Sequence, residues 1–273
     1  MVKIAVVQMP AEPCQIQTNL QQVLLYLHQA AKQGANIIVF PECVLTGYDL
    51  SPEETQVYNV SAADPAIAQI HEASSQLHVI AQVGALERAD DGSLYNSAFL
   101  FGPDGLQSIY RKTHLPVLGL DRFVSPGVLA PSTISTPQGS LGSLICYDLR
   151  FPEPSRLLAL QGAQILMVST AWPQAANLYV DFLAQARAAE NRVFVAAANR
   201  CGVERSVHFL GRSLIINPDG VILQEAAGDS SAIIYAEIDP SEADKKHLVF
   251  DPGTYELDLL GARRPELYDG LVQ

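Results

Sequence analysis

The sequence predicts an α/β fold in which β-sheets are covered by helices. Short apolar segments rich in β-branched residues alternate with longer segments whose apolar residues recur every three or four positions, the patterns of strands and amphipathic helices. The strand segments are apolar on both faces, as in sheets buried between other layers. With 273 residues, 48% of them hydrophobic, the chain can build a large core. We expect two sheets back to back with helices outside; periodicity alone does not give their number.

The predicted elements follow this alternation along the chain. The predicted strands are Lys3–Met9, Asn36–Phe40, Val79–Val83, Ser97–Phe101, Ser108–Arg111, Gly142–Cys146, Ile165–Ser169, Val193–Ala198, Ser213–Asn217 and Ile233–Ile238. The predicted helices are Thr18–Lys32, Pro65–Gln76, Pro154–Gln161 and Ala176–Asn191. Thr18 is a candidate N-cap of the first helix, since its hydroxyl suits that position.

Two turns and a change of pattern define the organisation. The segments GPDG (102–105) and NPDG (217–220) each follow a strand and predict β-turns between antiparallel neighbours. No linker separates the halves, so we predict one domain over residues 1–250. Residues 251–273 lose the pattern, and this tail is expected either on its own domain or on a second subunit.

Composition excludes several classes of function. A net charge of −12 argues against nucleic acid or an anionic membrane as partner. No signal peptide is visible, and no apolar stretch reaches the roughly 20 residues that span a bilayer. The four cysteines lie far apart, which suits a reducing cytoplasm. Zinc-ligand and nucleotide-binding motifs are missing from the sequence, so we expect no metal and no cofactor.

Cys146 is the first candidate for chemistry, because it ends an apolar strand within SLICYDLRFPE. Side chains at the carboxyl ends of strands often line active sites, although most free cysteines are inert core residues. A reactive thiol needs a base and a group that stabilises the oxyanion. His114 is the best histidine partner; the alternative is a carboxylate base with a lysine cation.

The carboxylate and the lysine also follow predicted strands. Glu42 comes directly after the strand in NIIVFPEC, and Lys112 follows the strand at 108–111 in YRKTHLP. Taken singly, each residue type is usually exposed to solvent. Together with Cys146, they place three reactive groups at strand ends.

The ordered segments FPE (40–42), RKTHLP (111–116) and ICYDLRFPE (145–153) resemble the nitrilase superfamily of carbon–nitrogen hydrolases, as do KIAVVQM, RAAENRVFVAAANR and SLIINPDG. The resemblance implies a four-layer α-β-β-α sandwich and a catalytic triad. In that triad Glu42 is the base, Cys146 the nucleophile that forms a thioester, and Lys112 the oxyanion stabiliser, assisted by the Tyr147 backbone N–H. It also implies a homodimer or a larger homo-oligomer.

One position departs from the family pattern. The family often carries a second glutamate between the lysine and the cysteine, whereas this chain has only Asp121 there. The shorter Asp121 either assists at the site or instead has a local role, in which it pairs with Arg122 or caps a turn.

Substrate-binding candidates lie near the same strand ends. Tyr48 either lines the pocket or packs in the core, and Trp172 is expected near the mouth of the crevice. Arg150 either clamps a substrate carboxylate or pairs with Asp148 or Glu153.

The predicted function is hydrolysis of a small carboxamide to ammonia and a carboxylate. CYDLRFPE is most similar to the branch of ω-amidases and deaminated-glutathione amidases. The alternatives are a nitrilase or an N-carbamoyl amidohydrolase with the same triad, and a ligand-binding protein that has lost turnover.

Overall fold

Two six-stranded mixed sheets form the centre of the structure, a computed structural model that describes residues 1–228 and 230–272. The first half of the chain contains β1 (Val2–Gln8), β2 (Ile37–Val39), β3 (Ile80–Arg88), β4 (Leu94–Gly102) and β5 (Gly105–Arg111). The second half contains β6 (Thr133–Thr136), β7 (Gly139–Ile145), β8 (Ile165–Thr170), β9 (Phe194–Asn199), β10 (Val203–Glu204), β11 (Val207–His208), β12 (Leu214–Ile216), β13 (Ile222–Glu225), β14 (Ala232–Ile238), β15 (His247–Asp251) and β16 (Tyr255–Asp258).

The two sheets have related topologies. The first has the order β14-β1-β2-β3-β4-β5 and the second the order β13-β12-β9-β8-β7-β6. Three neighbouring strands run parallel in each sheet, β1-β2-β3 in the first and β7-β8-β9 in the second, and antiparallel strands flank them. Parallel neighbours need crossover connections, usually helices, and their carboxyl ends meet at one edge.

Helices cover both outer faces. The helices are α1 (Ile16–Lys32), α2 (Pro52–Val57), α3 (Pro65–Leu77), α4 (Pro152–Leu160) and α5 (Ala184–Asn191), with a π-helix (Tyr179–Leu183) directly before α5. Apolar residues of α1 and α3 form one core with the first sheet, and those of α4 and α5 form another with the second. A third core lies between the sheets. The predicted α-β-β-α layering is therefore confirmed.

Alternating side chains explain how one strand serves two cores. In β1, Ile4 and Val6 belong to the core between the sheets, whereas Ala5 and Val7 pack against the helices. Polar bonds also join the layers: the Gln82 amide donates to Ser169 Oγ at 3.0 Å, and that hydroxyl donates to the Phe40 carbonyl at 2.8 Å. These bonds fix the relative position of the two sheets near the ends of β2 and β8.

The predicted strands and both hairpin turns are confirmed, with small shifts of the boundaries. GPDG joins antiparallel β4 and β5, and NPDG joins antiparallel β12 and β13. The predicted N-cap Thr18 is wrong, because α1 begins at Ile16 with Gln15 as its N-cap and no side-chain capping bond. Helix α2 is missing from the prediction, although Ser51 and Glu54 form a capping box at its start.

The C-terminal segment contains more structure than the sequence pattern indicates. The predicted boundary between residues 250 and 251 lies inside β15, which pairs with β16 in an antiparallel hairpin. Short 3-10 helices follow at Pro265–Leu267 and Asp269–Val272. Among residues 1–228 and 230–272, no helix is long and apolar enough to cross a membrane.

Candidate active site

Three strand ends meet where the two sheets face each other. Glu42 follows β2, Lys112 directly follows β5, and Cys146 directly follows β7. The Glu42 N–H donates to the carbonyl of Thr170, the last residue of β8, at 3.2 Å. The backbone N–H of Ala171, the residue after Thr170, hydrogen-bonds to the Cys146 sulfur. The site is thus assembled from both sheets.

Lys112 lies between two carboxylates in a fully buried setting. Its Nζ is 2.6 Å from Glu42 Oε1 and 2.5 Å from Asp121 Oδ2. The side chains of all three residues are fully buried. Asp121 therefore reaches the site, from a 3-10 helix at Gly119–Arg122, and Arg122 bonds instead to the Gly119 carbonyl.

Asn96 links the same two carboxylates, and sequence reasoning missed it. Its amide donates to Glu42 Oε1 at 2.7 Å and to Asp121 Oδ1 at 2.8 Å. The Asn96 backbone carbonyl accepts a bond from the Lys112 backbone N–H at 2.8 Å. Tyr48, which is fully buried, donates its hydroxyl to Asp121 Oδ2 at 2.7 Å. Only the buried amide within the apolar strand LYNSAFLFG could have pointed to Asn96.

The electrostatics favour an ion pair beside a protonated thiol. Burial raises the pKa of Glu42, and Asp121 adds to this while Lys112 opposes it. Burial alone would lower the pKa of Lys112, but Asp121 and Glu42 raise it well above its ordinary value. Lys112 is therefore an ammonium ion over the physiological pH range.

The Cys146 thiol keeps its proton although the Lys112 ammonium lies in the same site. Burial, followed by the charge of Glu42, raises the pKa of Cys146 well above its ordinary value, and Lys112 offsets this only in part. Cys146 is consequently a thiol at rest, and a buried thiol needs a base to take its proton before it can attack a substrate.

Glu42 has the means to act as that base. While Oε1 accepts bonds from Lys112 and Asn96, Oε2 is buried and has no partner in the described part of the chain. A buried carboxylate oxygen without a donor is costly, so it has a strong tendency to accept a proton. Glu42 could therefore accept a proton through Oε2.

Asp148 connects the loop after Cys146 to the loop that carries Lys112. Its carboxylate accepts bonds from the Tyr110 hydroxyl at 2.8 Å, from Thr113 Oγ1 at 2.9 Å and from the Ile145 N–H at 3.1 Å. His114 lies 2.8 Å from the same carboxylate through Nδ1 and stacks on Phe151 at 4.0 Å. His114 is therefore bonded to Asp148. The carboxylate and the lysine of the alternative prediction, Glu42 and Lys112, contact each other.

The remaining sequence candidates occupy different settings. Tyr147 is half-buried in the first turn of a 3-10 helix at Cys146–Arg150, where backbone N–H groups have no acceptor within the helix. Trp172 is 1% exposed, so the expectation that it stands at the crevice mouth is wrong. Arg150 is exposed, and among the described residues it forms no ion pair with Asp148 or Glu153, so that internal pairing is wrong too.

Arg187 stabilises the loop that follows Cys146. Its guanidinium donates to the Leu149 carbonyl at 3.1 Å and to the Arg150 carbonyl at 3.0 Å, and it pairs with Glu190 at 2.9 Å. The RAAEN segment therefore has a physical role in fixing the turn after Cys146. Within residues 1–228 and 230–272, no three His, Cys, Asp or Glu side chains are grouped as a metal ion would need.

Gly84 is required where β3 passes beneath Glu42. A Cβ at this position would lie 2.5 Å from the Pro41 carbonyl oxygen and 2.8 Å from the Glu42 Cα. Gly84→Ala is expected to displace Glu42 and lower kcat/KM by about 10²-fold, since a shift of about 1 Å in a catalytic group can have that effect. The measurements are kcat/KM and thermal unfolding.

Gly92→Ala is the matched control, because Gly92 has a positive φ of 84° but no atom within 4 Å of its added Cβ. It should lose stability and keep kcat/KM. Equal loss of kcat/KM in both variants would contradict the role given to Gly84.

Comparison with known proteins agrees with this architecture. The carbon-nitrogen hydrolase family model matches residues 3–247. The chain is 34% identical over 275 residues to a nitrilase of Pyrococcus abyssi, covering 98% of this chain and 99% of the relative. It is 33% identical over 237 residues to the human omega-amidase NIT2, covering 81% and 83%.

Solved structures give the same result. The NitN amidase from Nesterenkonia sp. AN1 has a TM-score of 0.85 at 27% identity, covering 99% of this chain and 100% of that one. A variant of that amidase carries acrylamide added at its active-site cysteine. The layered α-β-β-α fold and the similarity to these proteins define a hydrolase that acts on carbon–nitrogen bonds. The chain belongs to the carbon-nitrogen hydrolase family.

Proposed function

We propose that this enzyme hydrolyses a small primary carboxamide to ammonia and a carboxylate through a thioester on Cys146. The observation that carries the proposal is the unpartnered Oε2 of Glu42, buried beside the Lys112 ammonium and close enough to the thiol to perturb its pKa. One oxygen of Glu42 is held by donors and the other is open to a proton.

In the first half of the reaction, the Cys146 sulfur attacks the amide carbon while Glu42 takes the thiol proton. The C–S bond forms, and the carbonyl electrons move to oxygen. Lys112 and the Tyr147 N–H stabilise the resulting oxyanion; such fixed donors typically contribute about 10²–10³ in rate each. Glu42 then returns the proton to the nitrogen, the C–N bond breaks, and ammonia leaves.

In the second half, Glu42 takes a proton from water, whose oxygen attacks the thioester carbon. The C–S bond breaks, the sulfur recovers a proton, and the carboxylate product departs. Asp121 accepts bonds from Lys112 and Tyr48 and so keeps the ammonium in place through both steps. The same base thereby serves two proton transfers.

The test is ammonia release from a panel of short carboxamides, nitriles and N-carbamoyl compounds, together with the intact mass of the protein during turnover. We expect ammonia from the amides and an acyl mass increase on the peptide containing Cys146. The Cys146→Ala variant should show neither, and Cys14→Ala, which changes a half-buried thiol elsewhere, should behave as wild type. Ammonia release that survives Cys146→Ala would overturn the proposal.

The acidic limb of kcat/KM is expected to lie above 4.5, the ordinary pKa of a glutamate. Glu42 is a base only when ionised, and burial raises its pKa. Activity is therefore complete above the raised pKa and is lost as pH falls through it. A pH profile of kcat/KM measures the limb.

Asp121→Asn sharpens this pH experiment. The negative charge of Asp121 raises the pKa of Glu42, so removing it should move the acidic limb to lower pH, whatever happens to the maximal rate. A wild-type limb at or below 4.5, or an upward shift in Asp121→Asn, would contradict the assignment of Glu42 as the base.

The substrate we favour carries a carboxylate distant from its amide. Arg150 is exposed, lies four residues after the nucleophile, and has no acidic partner among the described residues, so its guanidinium is available for an anion. The similarity to omega-amidases supports this choice over a nitrile or an N-carbamoyl substrate. Arg150→Gln should raise KM for ω-carboxamide acids and leave KM for uncharged amides unchanged.

We also propose that the C-terminal hairpin packs against a second copy of the chain. Its apolar side chains Val249, Phe250 and Tyr255 are more than half exposed, and the last two stack at 4.6 Å. A two-stranded hairpin is marginally stable alone. Sedimentation velocity should give a dimer or larger for wild type and a smaller species for Phe250→Ser/Tyr255→Ser.

We further infer a reducing, cytoplasmic compartment, supported by four cysteines without a disulfide.

A further inference from the structure

Tyr179 is a half-buried residue that the mechanism does not use. It begins the π-helix (Tyr179–Leu183), and its ring stacks on Trp172 with centroids 5.1 Å apart and planes at 20°. A π turn inside a helix is rare and is found mainly at functional sites, because its extra residue redirects side chains. The local geometry therefore places one aromatic ring on another by means of an unusual backbone.

Trp172 gives Tyr179 a fixed support beside the thiol. The Trp172 backbone N–H donates to Asn199 Oδ1 at 2.7 Å, and the Trp172 backbone carbonyl accepts from the Leu210 N–H at 2.9 Å. The preceding residue is Ala171, whose N–H bonds to the Cys146 sulfur. The Trp172 ring belongs to the same apolar cluster as Cys146.

Tyr179 lies beside the candidate active site. It packs against the apolar cluster that contains Cys146 and Trp172, and the π-helix packs against the 3-10 helix at Cys146–Arg150. Burial raises the pKa of the Tyr179 phenol, and the Cys146 thiol adds to this. Tyr179 is consequently close to both the nucleophile and the exposed Arg150.

We propose that the Tyr179 ring, backed by Trp172, is the wall that limits the length of the acyl group bound at Cys146. This inference rests on the proposed function and deepens it, since it restricts the substrates to short carboxamides. A ring stacked on a fully buried indole cannot retreat without breaking the stack, and interiors are packed too closely to yield elsewhere. Tyr179 is therefore a specificity-determining residue.

The experiment compares kcat/KM for acetamide, propionamide, butyramide and hexanamide in wild type and three variants. Tyr179→Ala should raise the hexanamide-to-propionamide ratio at least about 10-fold, because one methylene in a pocket changes kcat/KM by about 10–200-fold. Tyr179→Phe keeps the ring and should stay within about threefold of wild type. Tyr26→Ala, which removes a half-buried tyrosine of α1 packed against the core of the first sheet, is the matched control and should leave the ratio unchanged.

A second measurement separates this inference from the proposed function. The rate of Cys146 alkylation by iodoacetamide is compared with that by an N-hexyl iodoacetamide, which needs no turnover. Tyr179→Ala should speed the bulky reagent relative to the small one, and Tyr179→Leu provides the same comparison if the alanine variant is unstable. Ratios within twofold of wild type in both assays overturn the wall, whereas wild type without ammonia release overturns only the amidase proposal.

Discussion

Lys112→Met is expected to lower kcat by at least about 10²–10³-fold, because it removes the only cation in contact with the Glu42 and Asp121 carboxylates in the described site. The same change leaves two buried carboxylates facing each other without a counter-ion. Breaking a buried ion pair in this way costs about 3–5 kcal/mol of the free energy of unfolding. Steady-state kinetics and chemical denaturation measure the two effects.

The two effects of Lys112→Met can be separated. Adding Glu42→Gln and Asp121→Asn removes both unpaired charges, so the triple variant should regain much of the stability and none of the activity. Lys246→Met is the matched control: Lys246 is a half-buried lysine that donates to the Asn191 and Arg192 carbonyls at 2.8 Å each. It should lose stability and retain kcat. A Lys112→Met enzyme within tenfold of wild-type kcat would contradict the oxyanion role.

Glu42→Gln is expected to lower kcat/KM by about 10²–10⁴-fold, the usual contribution of a positioned base. The amide is nearly isosteric with the carboxylate, and its oxygen can still accept the bonds that Lys112 and Asn96 make to Oε1. The variant should therefore fold, and the loss should come from the missing base. Alkylation of Cys146 reports on the thiol separately, because this change removes both the proposed base and a charge that raises the pKa of Cys146.

Glu237→Gln is the surface control for this change, since its side chain is 64% exposed and its nearest cation, Lys3, is 3.6 Å away. It should match wild type in rate and in alkylation. Turnover by Glu42→Gln above a tenth of wild type would be incompatible with Glu42 as the base.

The positions of Glu42, Lys112 and Cys146 were predictable because each follows an apolar strand. Strands whose carboxyl ends meet at one edge bring the residues after them together. The order of the three segments along the chain, which resembles that of the nitrilase superfamily, indicated that they belong to one site. The same reasoning could not place Asp121, which comes from a 3-10 helix in a loop. Its contact with Lys112 depends on tertiary packing that no local pattern encodes.

Residues inside regular elements were harder to recognise. Asn96 lies in the middle of an apolar strand, and its two carboxylate partners are 54 and 25 positions away. Tyr179 begins a π-helix within a segment that the sequence predicts as continuous α-helix. Asn96 contacts residues that are distant in sequence, and so does the π-helix that begins at Tyr179, so a local pattern predicts the element and misses these contacts.

The hydrogen bond between the Glu42 N–H and the Thr170 carbonyl crosses from one sheet to the other. Glu42 therefore belongs to one sheet and the Cys146 sulfur to the other, so the distance between them depends on how the two sheets are aligned. Any change that shifted one sheet relative to the other would alter the distance between the Glu42 carboxylate and the Cys146 sulfur. A fast enzyme would therefore need a rigid contact between the two sheets at this hydrogen bond.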